Sequence, residues 1–326
     1  MDAVLIDSEF AQDIERGLLS LPKQLQSKYF YDDIGSRIFQ DIMRMPEYYL
    51  TDCELEIFQK QKQSIYQSFT KSGAQFNLIE LGAGDGLKTK VLLSYFLSKN
   101  GNFEYIPIDI SGDAVRNLVR SLETEFSELK TNGQIGDYFH LLEKMNHFGD
   151  AKKIILFLGS NIGNFKEDEA LLFFDKLRNV MQGKDQLFIG FDLKKEAQVI
   201  LDAYNDPHGH TANFNLNLLQ RINNELGADF DKTAFRHQET YNPQTGTAKS
   251  ELISLSNQKV GIVALGQEIS FKKGEAIFME ISQKYDMDMI EQLAKKSGFE
   301  VVENFYDSRN YFVNSLWRIK VGNTYF

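Results

Sequence analysis

The feature that most constrains the fold is an alternation that begins at residue 76. FNLIELGAG is a short apolar run ending in glycines, and the helical LKTKVLLSYFLSK follows it. FEYIPIDIS is a second strand and AVRNLVRSLETEF a second helix; after a polar segment ending in GDYF, KKIILFLGSN, EDEALLFFDKLRNVM and DQLFIGFDL continue as strand, helix, strand. Strands separated by helices of this length predict a mostly parallel, doubly wound sheet. Further on, the helix DMIEQLAKKSG precedes two last strands, FEVVENFYD and YFVNSLWRIKV, split by a polar turn at Ser308, Arg309 and Asn310 that suits a hairpin.

Outside this pattern the chain reads differently. Residues 8–19 and 35–68 are mainly helical, with Thr51 or Asp52 as the expected N-cap after the loop carrying Pro46. The alternation stops again over residues 193–275. That stretch holds the helix-like AQVILDAYND, then NFNLNLLQRINNELG and DKTAFRHQETYN, then the strand-like SELISLS and KVGIVALG. The expected architecture is a Rossmann-like core of residues 59–192 plus 285–326, with a second, α+β domain of residues 1–58 plus 193–284. The strand AIFMEISQKY falls where the chain crosses back between them. In it Ile277, Met279 and Ile281 alternate with Phe278, Glu280 and Ser282, so Glu280 and Ser282 are expected on one face. A carboxylate in a half-buried strand needs a partner, and clefts between domains are preferred ligand sites.

Bulk properties narrow the class of function. The net charge of −10 is spread along the chain with no basic block, against nucleic-acid binding. The longest apolar run, IILFL, is too short to cross a bilayer, and MDAVLIDSEF lacks the basic and apolar regions of a leader. With Cys53 the lone cysteine, no internal disulfide forms, and its setting reads as a packing position. His208 and His210 in PHGH have no third ligand nearby, so no metal is expected. The expectation is a soluble, cytoplasmic protein that acts on a small molecule, with a monomer favoured and the oligomeric state left open by the sequence.

Chemistry concentrates at the strand ends. The first βα junction, IELGAGDGLKTK, carries Glu80, Gly82, Gly84, Gly86 and Lys88. Its G-x-G-x-G spacing departs from the dinucleotide fingerprint and fits the acid-plus-glycine loop of S-adenosylmethionine (SAM) methyltransferases. SAM carries a sulfonium and an amine but no pyrophosphate, so acids around the loop are tolerable. Asp109 ends the second strand, where a doubly wound fold places an acid on ribose hydroxyls. Asp137 stands where such enzymes contact an adenine amino group, or else is a turn residue after Gly136. A parallel sheet closed by a C-terminal hairpin is the plan of class I SAM methyltransferases. The third strand ends in LGSNIGNF, and Asn164 there offers a donor and an acceptor suited to an amino acid, or a cap for the next helix.

The stretches FYDDIGSRIF, MPEYYLT, IELGAGDGLKT, IPIDIS, FLGSNIGNF, AYNDPHGHTANFNLNLLQRINNELGADFD and MEISQKY resemble, in order and over almost the whole chain, the histidine-specific Nα-methyltransferase family. That resemblance implies trimethylation of L-histidine to hercynine in ergothioneine biosynthesis, without a metal. It implies a SAM site at Gly82, Gly84, Lys88, Asp109 and Asp137. It implies an amino-acid site of Tyr31, Tyr48, Asn164 and Tyr204, with Asn164 and Tyr31 orienting the amine, and imidazole contacts from Glu280 and Ser282. Where histidine-specific members carry a methionine in the side-chain pocket, this chain reads Ser250, which implies a roomier pocket. The competing readings are a methyltransferase for another aromatic amino acid, such as a tryptophan derivative, and a catalytically silent SAM-binding protein.

Overall fold

The computed structural model describes residues 8–71, 75–145 and 151–320. The first seven residues, on which part of the reading against a leader rests, lie outside that range. The chain divides into two compact units, Met1–Tyr49 with Lys195–Ser282 and Leu50–Lys194 with Gln283–Phe326.

The second unit is built on an eight-stranded sheet. Across it run Phe299–Tyr306, Phe312–Ile319, Gln186–Asp192, Lys152–Phe157, Phe76–Leu81, Phe103–Asp109 and the short Lys130–Thr131, with Gln134–Ile135 also beside Phe103–Asp109. Pairings from Gln186–Asp192 through to Lys130–Thr131 are parallel, with Ile79 in register between Ile106 and Ile155. The strand Phe312–Ile319 runs antiparallel to both its neighbours, which is the class I methyltransferase plan. Helices cover the sheet, so central strands are buried on both faces and read as near-continuous apolar runs. Lys152 and Lys153 are buried exceptions in such a strand: Lys152 Nζ donates to the Phe69 carbonyl at 2.7 Å, and Lys153 pairs with Asp185 at 3.2 Å.

The first unit joins a four-stranded sheet to helices Glu9–Leu19, Asp33–Met43, Ala197–Tyr204 and His210–Leu226. Its strands run in the order Lys23–Gln24, Ala276–Gln283, Thr247–Ser254, Phe235–Asn242. Phe10, Ile14, Leu218, Leu252, Ile277 and Met279 belong to its core.

Four local expectations are corrected. FRHQETYN is a strand, paired antiparallel from Phe235 opposite Ser254 to Asn242 opposite Thr247. Asn242 sets the hairpin by accepting from Gln244 N at 2.9 Å, while Gly246 takes φ +77°. QEISF (Gln267–Phe271) is a further strand, paired with Gln258–Ile262. The long helix begins at Tyr49 rather than at a Thr51 or Asp52 cap, because Tyr48 and Tyr49 already donate to Met45 and Glu47 and feed the chain into the first turn. In Ala276–Gln283, Ile277 and Met279 are buried as expected, but the phase then breaks: Ile281 is half-buried and Ser282 fully so.

The C-terminal hairpin forms as expected, and its turn is organised by a buried acid beside the polar triplet. Asp307 accepts from Tyr311 N and Phe312 N, each at 2.7 Å, and from Arg309 N at 3.0 Å. Asp307→Ala leaves these donors unsatisfied and should cost roughly 2 kcal/mol or more, read as a lowered midpoint in chemical denaturation; an unchanged midpoint would contradict this account of the turn.

Candidate active site

The glycine loop follows the central strand directly. Gly82 and Gly84 adopt φ of +72° and +54°, a region that only glycine occupies freely. A Cβ built on Gly84 would meet nothing within 4 Å, so the loop presents bare backbone to open space. Asp109 holds that backbone in place: its Oδ2 accepts from Gly84 N at 3.1 Å and its Oδ1 from Ser111 N at 2.9 Å. Gly136 N donates to the Asp109 carbonyl at 3.0 Å. Next to it Asp137 Oδ1 caps the helix Tyr138–Met145 through Phe139 N and His140 N. Burial pushes the Tyr138 hydroxyl up, and the Asp109 and Asp137 carboxylates add to that, which places all three side chains in one neighbourhood. Gly82, Gly84, Asp109 and Asp137 therefore meet at one end of the sheet. A cradle of bare glycine backbone flanked by acids fits SAM, whose hydroxyls and amines are donors and which has no phosphate.

Two charged residues of this junction are engaged by partners inside the unit. Glu80 is not a loop acid: its carboxylate is buried inside the unit, accepting from Thr89 Oγ1 at 2.8 Å and Tyr105 OH at 2.5 Å. Burial pushes its carboxyl up to about 7, with the Tyr105 and Thr89 hydrogen bonds and Lys88 pulling the other way. Lys88 is bonded to Glu54, a fully buried carboxylate on the helix Tyr49–Thr70. Glu54 also accepts from Gly159 N at 2.9 Å and Asn314 Nδ2 at 2.7 Å. Glu54 carries no signal in the sequence, where a lone acid in a helix reads as a solvated face.

The turn LGSNIGN is fixed from several sides. Ser160 takes φ +59°, and its Oγ accepts from Asp192 N at 3.0 Å. Asp192 itself forms an ion pair with Lys284 at 2.8 Å, both side chains fully buried. The strand end carrying Lys284 passes so close that a Cβ on Gly163 would lie 2.8 Å from the Gln283 carbonyl oxygen. Tyr285 OH donates to the Ile162 carbonyl at 3.2 Å. Asn164 ends this 3-10 turn half-buried. The alternative role, capping the next helix, is filled by Glu169, which accepts from Lys166 N at 2.9 Å.

In the first unit the structure brings four of the expected substrate residues into one chain of contacts. Tyr31 and Tyr48 pack edge-to-face against Phe39 at 5.4 and 6.2 Å, and Tyr48 against Tyr204 at 6.1 Å. Tyr204 OH and Ser282 Oγ are 2.9 Å apart. Phe214 backs Tyr31 at 5.4 Å. Asp32 follows Tyr31, caps the helix Asp33–Met43 through Gly35 N at 2.7 Å, and accepts from Asn217 Nδ2 at 2.8 Å. Glu280 is half-buried two residues from Ser282. Ser250 is tied elsewhere: its hydroxyl donates at 2.5 Å to Glu239, the residue opposite it in the hairpin. Sequence reasoning missed Phe39, Phe214 and Glu239.

Cys53 is a buried packing residue whose sulfur accepts from Arg309 Nη2 at 3.1 Å; burial, then Asp307, pushes its thiol up to about 12. His208 is exposed and His210 opens a helix. Among the described residues no group of three or more His, Cys, Asp or Glu is placed to hold a metal, and no helix is long and apolar enough to cross a membrane.

The sequence profile of the family described as histidine-specific, SAM-dependent methyltransferase matches residues 10–319. The histidine N-alpha-methyltransferase of Mycobacterium tuberculosis is 32% identical over 305 residues, covering 94% of this chain and 93% of that protein. The protein of the same name from Mycolicibacterium smegmatis matches equally, at 32% over 305 residues, with the same coverage of 94% and 93%. The L-tryptophan methyltransferase of Psilocybe serbica is 27% identical over 310 residues, covering 87% of this chain and 86% of that protein. Fold, loop and relatives together define a SAM-dependent methyltransferase. The chain belongs to the histidine-specific methyltransferase family.

The raised Glu80 carboxyl has a consequence for stability. A folded value near 7 against an unfolded 4.5 means that the folded state holds the extra proton between them. The stabilising contribution is complete below about 4.5 and is lost as pH rises through about 7, a change on the order of 3 kcal/mol at most. Glu80→Gln should flatten the fall in thermal stability between about pH 5 and 8, and an unaltered slope would contradict the assignment.

Proposed function

We propose that this protein transfers the SAM methyl group to the α-amine of L-histidine, three times in succession, giving hercynine. The observation that carries the reading is the Tyr204–Ser282 contact, which joins the tyrosines to the strand that bears Glu280. The family membership supports it. In this reading the unit Met1–Tyr49 with Lys195–Ser282 is the substrate-binding domain and the other unit holds the cofactor, in the cytoplasm.

SAM, when bound, supplies an electrophilic methyl on a sulfonium, which needs little activation. The protein's task would therefore be positioning, holding the substrate amine for in-line attack on that methyl group. Gly82 and Gly84 would give the cofactor backbone to lie against, Asp109 would take its ribose hydroxyls, Asp137 its adenine amine, and Lys88 would line the site beside Glu54. Asn164 orients the substrate amine and Tyr31 helps to hold it, directly or through water. Tyr48 and Tyr204 donate hydroxyls to the carboxylate. Glu280 accepts from an imidazole N–H, and Ser282 serves the other ring nitrogen. Amine protons leave through water, because no side chain of this set is a dedicated base.

The bond from Ser250 to Glu239 bears on the tryptophan-type alternative. It makes that position polar and anionic rather than an apolar gap, which suits a ring with two nitrogens better than an indole. Glu280→Ala leaves the imidazole without its acceptor. It should raise the KM for histidine steeply, about a hundredfold, because a site built for a polar group loses most when the pairing is gone. SAM affinity should stay within about twofold. Unchanged histidine kinetics in this variant would defeat the assignment.

A further inference from the structure

The helix Ala197–Tyr204 ends at the residue that would hold the substrate carboxylate. The last four carbonyls of a helix have no partner within it, and here the carbonyl of Tyr204 is met by a side chain. His237, buried on the strand Phe235–Asn242, places its Nε2 3.1 Å from Tyr204 O. A carbonyl only accepts, so Nε2 carries the proton and Nδ1 presents its lone pair. Nδ1 is buried and has no hydrogen-bond partner among the described residues. A hydrocarbon would fill the same space without leaving a buried nitrogen unpaired, so the imidazole is kept at a cost. What it gains is the hold on Tyr204.

The chain beyond Tyr204 is clamped as well. Asp206 accepts from His210 N and Thr211 N, each at 2.8 Å, and so pins the turn to the start of the helix His210–Leu226. Tyr204 thus stands between two fixed points, its carbonyl on His237 and its following turn on Asp206. Its ring meets Tyr48 and its hydroxyl meets Ser282. Burial holds the His237 imidazole below its ordinary value, countered by the Tyr204 carbonyl and Asp206, while Arg236 adds to the depression. The ring is accordingly neutral at physiological pH.

We propose that His237 is a positioning residue for amino-acid binding: its Nε2–H fixes the backbone of Tyr204 and thereby the aim of the Tyr204 hydroxyl. This rests on the histidine reading above. A shift of 1 Å in a positioning group is enough to lose two orders of magnitude in rate, so the hold is worth a buried unpaired nitrogen.

The test compares variants of the full chain. His237→Leu should raise the KM for histidine about tenfold while leaving the Kd for S-adenosylhomocysteine within about twofold. His237→Gln, whose amide can return a donor to the same carbonyl, should recover most of that loss. In a Tyr204→Phe background His237→Leu should add almost nothing, because the two act through one group. Normal histidine kinetics in His237→Leu would overturn the proposal, as would an equal loss of affinity for both substrates or full additivity with Tyr204→Phe. Should His237→Leu not fold, 15N spectra of histidine-labelled protein decide, with the His237 signals identified through His237→Gln. They should show an Nε2-protonated ring that shifts on adding unlabelled histidine and not on adding S-adenosylhomocysteine; an Nδ1-protonated ring or no shift would overturn it. Failure of the histidine reading itself would look different, since the unaltered protein would then not turn histidine over.

Discussion

A carboxylate with no exposed surface, Glu54, organises the unit of Leu50–Lys194 with Gln283–Phe326. It gathers the Lys88 ammonium, the Gly159 amide and the Asn314 side chain around one acid. These groups come from the glycine loop, from the turn after Lys152–Phe157 and from the C-terminal hairpin, three segments far apart in sequence. Taking a carboxylate out of water costs several kcal/mol, and only good geometry with all lone pairs satisfied offsets it. Several donors, one of them cationic, meet that condition. A Cβ on Gly190 would lie 2.5 Å from Glu54 Oε1, so the sheet itself leaves room for the acid. The second buried pair, Asp192 with Lys284, does similar work beneath LGSNIGN. Both fix loops at the ends of strands, where an open α/β sheet binds its ligands.

These pairs also explain why the site's polar residues can be few. Lys88 is charge-balanced by Glu54 and so does not present an isolated cation. That suits a cofactor whose amino-acid end is itself zwitterionic, and it separates this loop from phosphate-binding loops of similar glycine content. In the unit of Met1–Tyr49 with Lys195–Ser282 the same economy is reached with rings. Tyr31, Tyr48 and Tyr204 are each set by edge-to-face neighbours, contacts that add about 0.5–1.5 kcal/mol apiece and fix ring orientation.

Much of this was legible in the sequence where local rules apply. The parallel sheet followed from strand–helix spacing, and the hairpin from the polar turn at Ser308, Arg309 and Asn310. That Gly82, Gly84, Asp109 and Asp137 lie at one end of the sheet was readable because glycine and acid positions at strand ends have a physical reason of their own. FRHQETYN was misread because its polar residues hide the alternation of Phe235 and His237, although Asn242 and Gly246 carried a turn signal. Glu80 was misplaced because sequence gives the residue's position in a strand but not the depth to which its side chain is buried. Glu54, Lys284 and His237 were invisible for one reason: each acts through partners distant along the chain, and a single sequence does not state long-range pairings. The roles proposed for Tyr31, Tyr48 and Tyr204 needed the family resemblance, since a tyrosine alone is most often a packing residue.

The central claim is that a SAM-dependent fold has been fitted to one amino acid by Glu280, Ser282 and three tyrosines. Incubation with SAM and an equimolar mixture of the twenty amino acids, followed by mass spectrometry, tests it most directly. The account predicts that histidine alone gains methyl groups, up to three, all on the α-nitrogen. Methylation of tryptophan or another amino acid in preference to histidine, methylation on the ring, or no transfer at all would contradict it.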